Sequence, residues 1–420
     1  MKKPHSIVIR AFRAISWFSC GYVVLLLGAS TANAQAKPRG RDLGIPFPGT
    51  TGPNNAITDV AGVAVGHATI IRGSGKMISH QGPVRTGVTA ILTRPRGDWS
   101  PVFAATFNLN GNGDMTGTNW IAESGFLEGP ILLTGTHSVG TVRDATIQWE
   151  LKNGRDFLFT YPVVAETFDG LSDYNGEHVR PEHAFAALDS AKPGPVQEGA
   201  VGGGTGMGCN DWKGGIGTSS RKLSPRQGGW TVGILVQCNY GGNLTILGVP
   251  IPTPDEYSYC RTLPDSAASQ AWVNRLPRCD SLPRHVGEAG ETPGREGRAS
   301  IIVVVATDAP LLPHQLARLA RRVSMGLGKL GSHAGDQSGD LFLAFSTANH
   351  GASQSDTSSL TMWPNERMNP LFQAVIDATE EAVVNAMLAA ETMEGADGIR
   401  VPGLPGSVVV DALRKAGRMH

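Results

Sequence analysis

Charge of one sign is missing from this chain. Its 36 Lys and Arg are matched by 36 Asp and Glu, for a formal net charge of +0, and charged residues make up 17% of the 420. That balance excludes the basic field of a nucleic-acid binder or of a protein resting on an anionic membrane. Metal-ligand spacings are missing as well: neither C-x-x-C nor H-E-x-x-H occurs, so no metal or other cofactor is expected. The nucleotide-cradling G-x-x-x-x-G-K-[ST] is also absent. The glycine run from Gly199 to Gly208 lacks the strand-turn-helix frame of a dinucleotide site. Its glycines read instead as positions of positive φ and close backbone approach beside a site.

Long apolar runs are scarce, and the informative one is N-terminal. Lys2, Lys3, Arg10 and Arg13 precede Val23–Leu27, and Ala32-Asn33-Ala34 follows just before Gln35. The order of basic start, short apolar run and A-x-A site predicts a secretory signal over residues 1–34, removed in a periplasmic or secreted product. An uncleaved anchor is the alternative, disfavoured by the short run and by the charged, Pro-containing sequence after it. Without those 34 residues four basic and no acidic groups are lost, which moves the formal balance to −4. Cysteine is sparse too. Of the four beyond the signal, Cys260 and Cys279 share a long polar stretch and are expected to pair in an oxidising compartment. Cys209 and Cys238 lie in Gly-rich and strand-like settings and are expected to be small buried hydrophobes.

What is present is a layered pattern. After a Pro/Gly-rich arm over residues 37–55, β-branched runs alternate with glycine turns at Gly62–Gly66, Thr86–Leu92 and Val232–Val236. Leu312, Leu316, Leu319, Val323 and Leu327 recur at helical spacing. Asn369-Pro370 opens a second helix with Phe372, Ile376, Val383 and Met387 on one face. Two helices with one apolar face each, and a strand Ile301–Val305 apolar on both faces, predict an α/β sandwich in layers. Between residues 253 and 299 periodicity stops, and the stretch reads as one long loop.

That loop ends at Ala299-Ser300, directly before the strand. A small residue, then a hydroxyl, with slack upstream and a rigid strand downstream, is the layout that self-cleavage requires. Attack of the Ser300 hydroxyl on the Ala299 carbonyl gives an ester. Its hydrolysis frees an α-amine with a reference pKa of about 7.7 to 8.0, able to act as base for its own hydroxyl. A small residue and a serine also precede many ordinary strands, so this window alone does not decide.

Six segments in chain order, Asn55–Val63, Thr134–Gly140, Val163–Gly170, Gly214–Arg221, Ala306–Leu312 and Ser338–Thr347, resemble the L-aminopeptidase/D-amino-acid esterase family. That family includes the β-peptidyl aminopeptidases and shares its fold with the ornithine acetyltransferases. The resemblance implies an α/β/β/α-type sandwich and one catalytic domain, residues 35–420, cut into an α chain 35–299 and a β chain 300–420. It implies Ser300 as nucleophile, with Ala299 standing where the family usually has Gly. It implies Asn239 as oxyanion donor, and Ser338 with Asp340 as assistants to the nucleophile, where Glu is more usual than Asp at the second position. It implies Glu166 as the carboxylate that binds the substrate's free amine; taken alone, Glu166 could equally pair with an Arg inside the strand layer. The expected partners are short peptides, amides or esters with a free amine, turned over through an acyl-enzyme; whether the amine-bearing residue is L-α, D-α or β stays open, and a homo-oligomer is implied. Two rivals remain: acyl transfer of the ornithine acetyltransferase kind, and an uncut binding protein without activity.

Overall fold

The computed structural model describes residues 37–282, 300–353 and 356–419. The export signal at 1–34 and Ala299 lie outside the described residues.

Two sheets stack face to face. The first has four strands in the order β1 (Ala64–Arg72), β2 (Val84–Leu92), β5 (Ile131–Gly135) and β6 (Val163–Thr167), of which β5 and β6 are parallel. The second has six, in the order β4 (Phe126–Leu127), β3 (Val102–Gly111), β15 (Gly339–Ser346), β14 (Ser300–Thr307), β10 (Thr231–Asn239) and β9 (Gly215–Lys222). Only β14 and β15 run parallel in it. Three small assemblies fill the periphery: β7 (Gly208–Cys209) with β8 (Trp212–Lys213), β11 (Thr245–Ile246) with β12 (Val249–Pro250), and β13 (Cys260–Arg261) with β17 (Ile399–Val401) and β16 (Met393–Glu394). Helices α2 (Val139–Lys152) and α3 (Pro181–Ser190) cover the first sheet, and α4 (Pro313–Lys329) and α5 (Asn369–Ala389) cover the second. Helices α1 (Thr118–Ser124) and α6 (Gly406–Lys415) complete the set among the described residues. This is the four-layer α/β/β/α sandwich.

The layering explains why β14 is apolar from Ile301 to Ala306. Side chains alternate along a strand, so Ile301, Val303 and Val305 point to Leu316, Leu319 and Val323 of α4, while Ile302 and Val304 meet Ile131, Leu133 and Val163 of the facing sheet. Each such side chain contributes about 1.5–3 kcal/mol when fully withdrawn from water.

Three expectations need correction. Helix α5 is not buried along one face only: 17 of its 21 residues are buried, Asp377, Glu380, Glu381 and Asn385 among them. Lys329 of α4 pairs with Asp377 and Glu380, Arg221 of β9 pairs with Glu381, and the N-terminal arm supplies further partners. Arg41 binds Glu381 at 2.9 Å, Gly40 donates its N–H to Asn385 at 3.0 Å, and Ile45 and Phe47 anchor the arm in the core. Between residues 253 and 282, the described part of the expected loop, the chain is not structureless either, since Tyr259, Ala268, Val273 and Leu276 form a small core with Ile399 and Val401 of β17. Cys260 and Cys279 are bonded within it, with an S–S distance of 2.10 Å. Finally, Cys209 and Cys238 are not free hydrophobes but a second disulfide, because the β7–β8 hairpin lies against the end of β10.

Candidate active site

Strand register builds the site. In the β14–β15 ladder Ser300 stands opposite Gly339, and in the β10–β14 ladder Asn239 stands opposite Ser300. Three adjacent strands therefore meet at one edge of the sheet, with Ser300 in the middle. The Gly339 N–H donates to Ser300 Oγ at 3.2 Å. A Cβ on residue 339 would lie 2.3 Å from the Asn112 carbonyl oxygen, so only glycine brings this amide so near the hydroxyl.

Ser338 and Asp340 flank that glycine. Ser338 donates its hydroxyl to Asp340 Oδ1 at 2.7 Å, so the shorter acid loses no reach to its serine. The Asp340 carboxylate also accepts the N–H of Ile301, the residue after Ser300, and burial pushes its pKa above the ordinary aspartate value. Read alone, Ser338-Gly339-Asp340 resembles a turn before a strand; here Gly339 and Asp340 already belong to β15. Amides from the end of β3 latch the preceding loop: Asn110 Nδ2 donates to the carbonyls of Ala334 and Gly335 at 2.8 and 2.9 Å, and Asn112 Nδ2 to that of Gln337 at 2.7 Å.

Asn239 is the last residue of β10. Its Oδ1 accepts the Gly208 N–H at 3.0 Å, which fixes the amide plane and leaves the NH2 as the donating end. This engages the final glycine of the Gly199–Gly208 run. Within the run the expected positive φ occurs at Gly199 and Gly202, at +86° and +51°.

Glu166 comes from the other sheet, on β6. Its Oε1 accepts the Asp114 N–H at 3.1 Å, and its Oε2 accepts the Thr136 hydroxyl. No arginine pairs with it among the described residues. Burial raises its pKa above the ordinary glutamate value, and Asp169 and Asp114 push the same way, against the two hydrogen bonds. The link to Ser300 runs through Gly113, where an added Cβ would sit 3.2 Å from Glu166 Oε1 and 3.4 Å from the Gly339 Cα. Beside Glu166 opens a cleft of about 570 Å³ whose wall includes Asp114, Met115, Asn119, Trp120 and Tyr161. The two rings are 6.1 Å apart.

The structure thus brings together Ser300, Asn239, Ser338 and Asp340 on one sheet edge, with Glu166 across from them. Ser300, the most exposed of the five, has a relative exposure of only 7%. Sequence reading missed the backbone donors Gly339, Gly208 and Asp114, which no side chain announces. It also missed the cleft. The signal available for the cleft was the turn Gly111-Asn112-Gly113-Asp114 between a strand and the aromatic Trp120.

A serine at a strand start, an amide opposite it and a buried carboxylate beside a cleft suit nucleophilic acyl chemistry on a substrate bearing a positive charge. The profile of Peptidase family S58 matches residues 55–401. The chain is 44% identical over 401 residues to the β-peptidyl aminopeptidase BapA of Sphingosinicella microcystinivorans, covering 94% of this chain and 96% of that one. It superposes on the L-aminopeptidase D-Ala-esterase/amidase of Ochrobactrum anthropi with a TM-score of 0.77 at 42% identity, covering 91% and 100% of the two chains. That protein is described as a prototype for the serine aminopeptidases and a new variant among the Ntn hydrolase fold. A Burkholderia sp. β-aminopeptidase gives a TM-score of 0.75 at 43% identity over 90% and 99%.

Proposed function

The chain belongs to peptidase family S58 and is an aminopeptidase of the N-terminal serine nucleophile type, and from this premise we propose that Ser300 is its nucleophile. The observation that carries the reading is the register that sets Ser300 between Asn239 and Gly339, with the Ser338–Asp340 pair alongside. The Ser300 hydroxyl attacks the Ala299 carbonyl carbon, the Ala299–Ser300 C–N bond breaks, and an ester forms. Water then cleaves the ester, leaving a carboxylate on Ala299 and a free amine on Ser300. The products are chains 35–299 and 300–420.

In turnover that amine takes the proton of its own hydroxyl as Oγ attacks the substrate carbonyl. The Asn239 NH2 receives the oxyanion, and a donor of this kind contributes about 2.7–4 kcal/mol to lowering the barrier. The Ser338–Asp340 pair orients the serine end of β14. Glu166 holds the substrate's ammonium by a charge-assisted bond, which limits the enzyme to N-terminal residues, and the cleft receives the side chain. The proposed substrates are short peptides, amides and esters with a free amine. D- and β-amino acids are among them, since relatives are named for β-peptides and for a D-Ala ester. Export to the periplasm or beyond is part of the reading, supported by the N-terminal signal pattern and by two disulfides in the described residues.

Mass spectrometry of the mature protein tests this. A fragment starting at Ser300, absent from Ser300→Ala together with all hydrolase activity, is expected. Fragmentation and parent activity in Ser300→Ala would place the nucleophile elsewhere.

A further inference from the structure

Lys213 has no exposed surface at all, and nothing in the proposed mechanism uses it. An ammonium withdrawn from water acts on its hydrogen-bond partners without screening by solvent. The β7–β8 hairpin provides the geometry. Its two-residue turn, Asn210-Asp211, has both φ values positive, at 48° and 64°, as a tight hairpin of this kind requires. Gly208 and Lys213 are therefore cross-strand partners. The Cys209–Cys238 disulfide ties this hairpin to β10 at the residue before Asn239.

The Met207–Gly208 peptide is engaged at both ends. Its carbonyl accepts from Lys213 Nζ at 2.7 Å, and its N–H donates to Asn239 Oδ1 at 3.0 Å. The same ammonium donates to the Gly214 carbonyl at 2.8 Å. A continuous path thus runs from the Lys213 charge through one peptide group to the Asn239 amide. Hydrogen bonds in such a chain polarise one another, the more so where water is excluded. A charge on the carbonyl makes the peptide N–H a stronger donor, and a stronger bond at Asn239 Oδ1 makes its NH2 a stronger donor in turn.

We infer that Lys213 is a positioning residue for the oxyanion site, acting through the Met207–Gly208 peptide on the Asn239 amide. This rests on the reading of Asn239 as oxyanion donor. Its requirement is specific: charge and donor must both be present at Nζ. Stabilisation by this route is felt when negative charge develops on the substrate oxygen, so it belongs to kcat and not to ground-state binding.

The test is a cycle of Lys213→Gln, Asn239→Ala and the double variant. Rates are expressed per mole of chain carrying a free Ser300 amine, counted by mass spectrometry. Lys213→Gln keeps a donor without charge and is expected to lower kcat about tenfold, as outer partners of a site commonly do, with KM within about twofold. In the Asn239→Ala background it should change kcat by less than about twofold, because the path then leads nowhere. An equal factor in both backgrounds overturns the relay while leaving Asn239 in place. Parent kcat in Asn239→Ala overturns the oxyanion reading and the relay with it. If Lys213→Gln does not fold, Lys213→Met, which keeps the stem, goes through the same cycle with the same expectations.

Discussion

Glu166→Gln separates charge from shape at the proposed amine site. The variant can keep its carbonyl oxygen on the Asp114 N–H and turn its NH2 to the Thr136 hydroxyl, so both contacts of the native carboxylate keep a partner. What is lost is the charge opposite the substrate ammonium. A charged hydrogen bond exceeds a neutral one by about 1–2 kcal/mol, which is a factor of roughly 5 to 30 in kcat/KM. Folding should respond in the opposite sense. Burial raises the Glu166 pKa above 4.5, so the group's contribution to stability is complete below that value and is lost as pH rises through the raised one. Gln carries no such loss. The variant should therefore melt no lower than the parent at neutral pH, and the gap should widen in its favour as pH rises. Initial rates on an amino-acid amide and its N-acetylated analogue, with melting curves across the acid range, make the assay. The parent should reject the acetylated compound, and the variant should discriminate less. A variant that keeps the parent KM and still rejects the acetylated analogue would mean that the ammonium is held elsewhere.

Three further outcomes follow from the structure. Gly339→Ala should displace the start of β15, since its Cβ would fall 2.3 Å from the Asn112 oxygen; loss of self-cleavage, read on a denaturing gel, checks this. Cys260 and Cys279 should resist alkylation under non-reducing conditions, and Cys260→Ser should lower stability by up to about 3 kcal/mol in a denaturant titration. N-terminal sequencing of exported protein should read from Gln35, and Met1 in that material would refute the signal.

Much of this was legible because period and punctuation were strong. Strand β14 announces itself by an unbroken β-branched run, and the serine before it marks its first residue. Helix α4 shows its apolar stripe at Leu316, Leu319, Val323 and Leu327. Illegible were features made by distant partners. The buried acids of α5 make sense only with partners remote in the chain: Arg41 of the arm and Arg221 of β9 for Glu381, and Lys329 of α4 for Asp377 and Glu380. Cys209 finds Cys238 because the Asn210-Asp211 turn folds a hairpin against β10, and the register of that packing is written in no local pattern. Backbone N–H donors such as those of Gly208, Gly339 and Asp114 are carried by every residue type except proline, so composition cannot mark them.

The place of β14 and β15 in the six-stranded sheet has a consequence for the life of the molecule. Both lie after residue 299, yet each is hydrogen-bonded on its far side to a strand from before it, β10 and β3. All five cysteines also precede residue 300, so no disulfide can join the two products of a cut there. A chain severed as proposed becomes a heterodimer whose halves share one sheet and one core. It folds once as a single chain, when closing the sheet is intramolecular; after the cut, recovering the same sheet is a bimolecular event. Unfolding would then be close to a one-way step, with refolding yield falling on dilution, and the lifetime of the active enzyme would be set by how slowly its sheet opens.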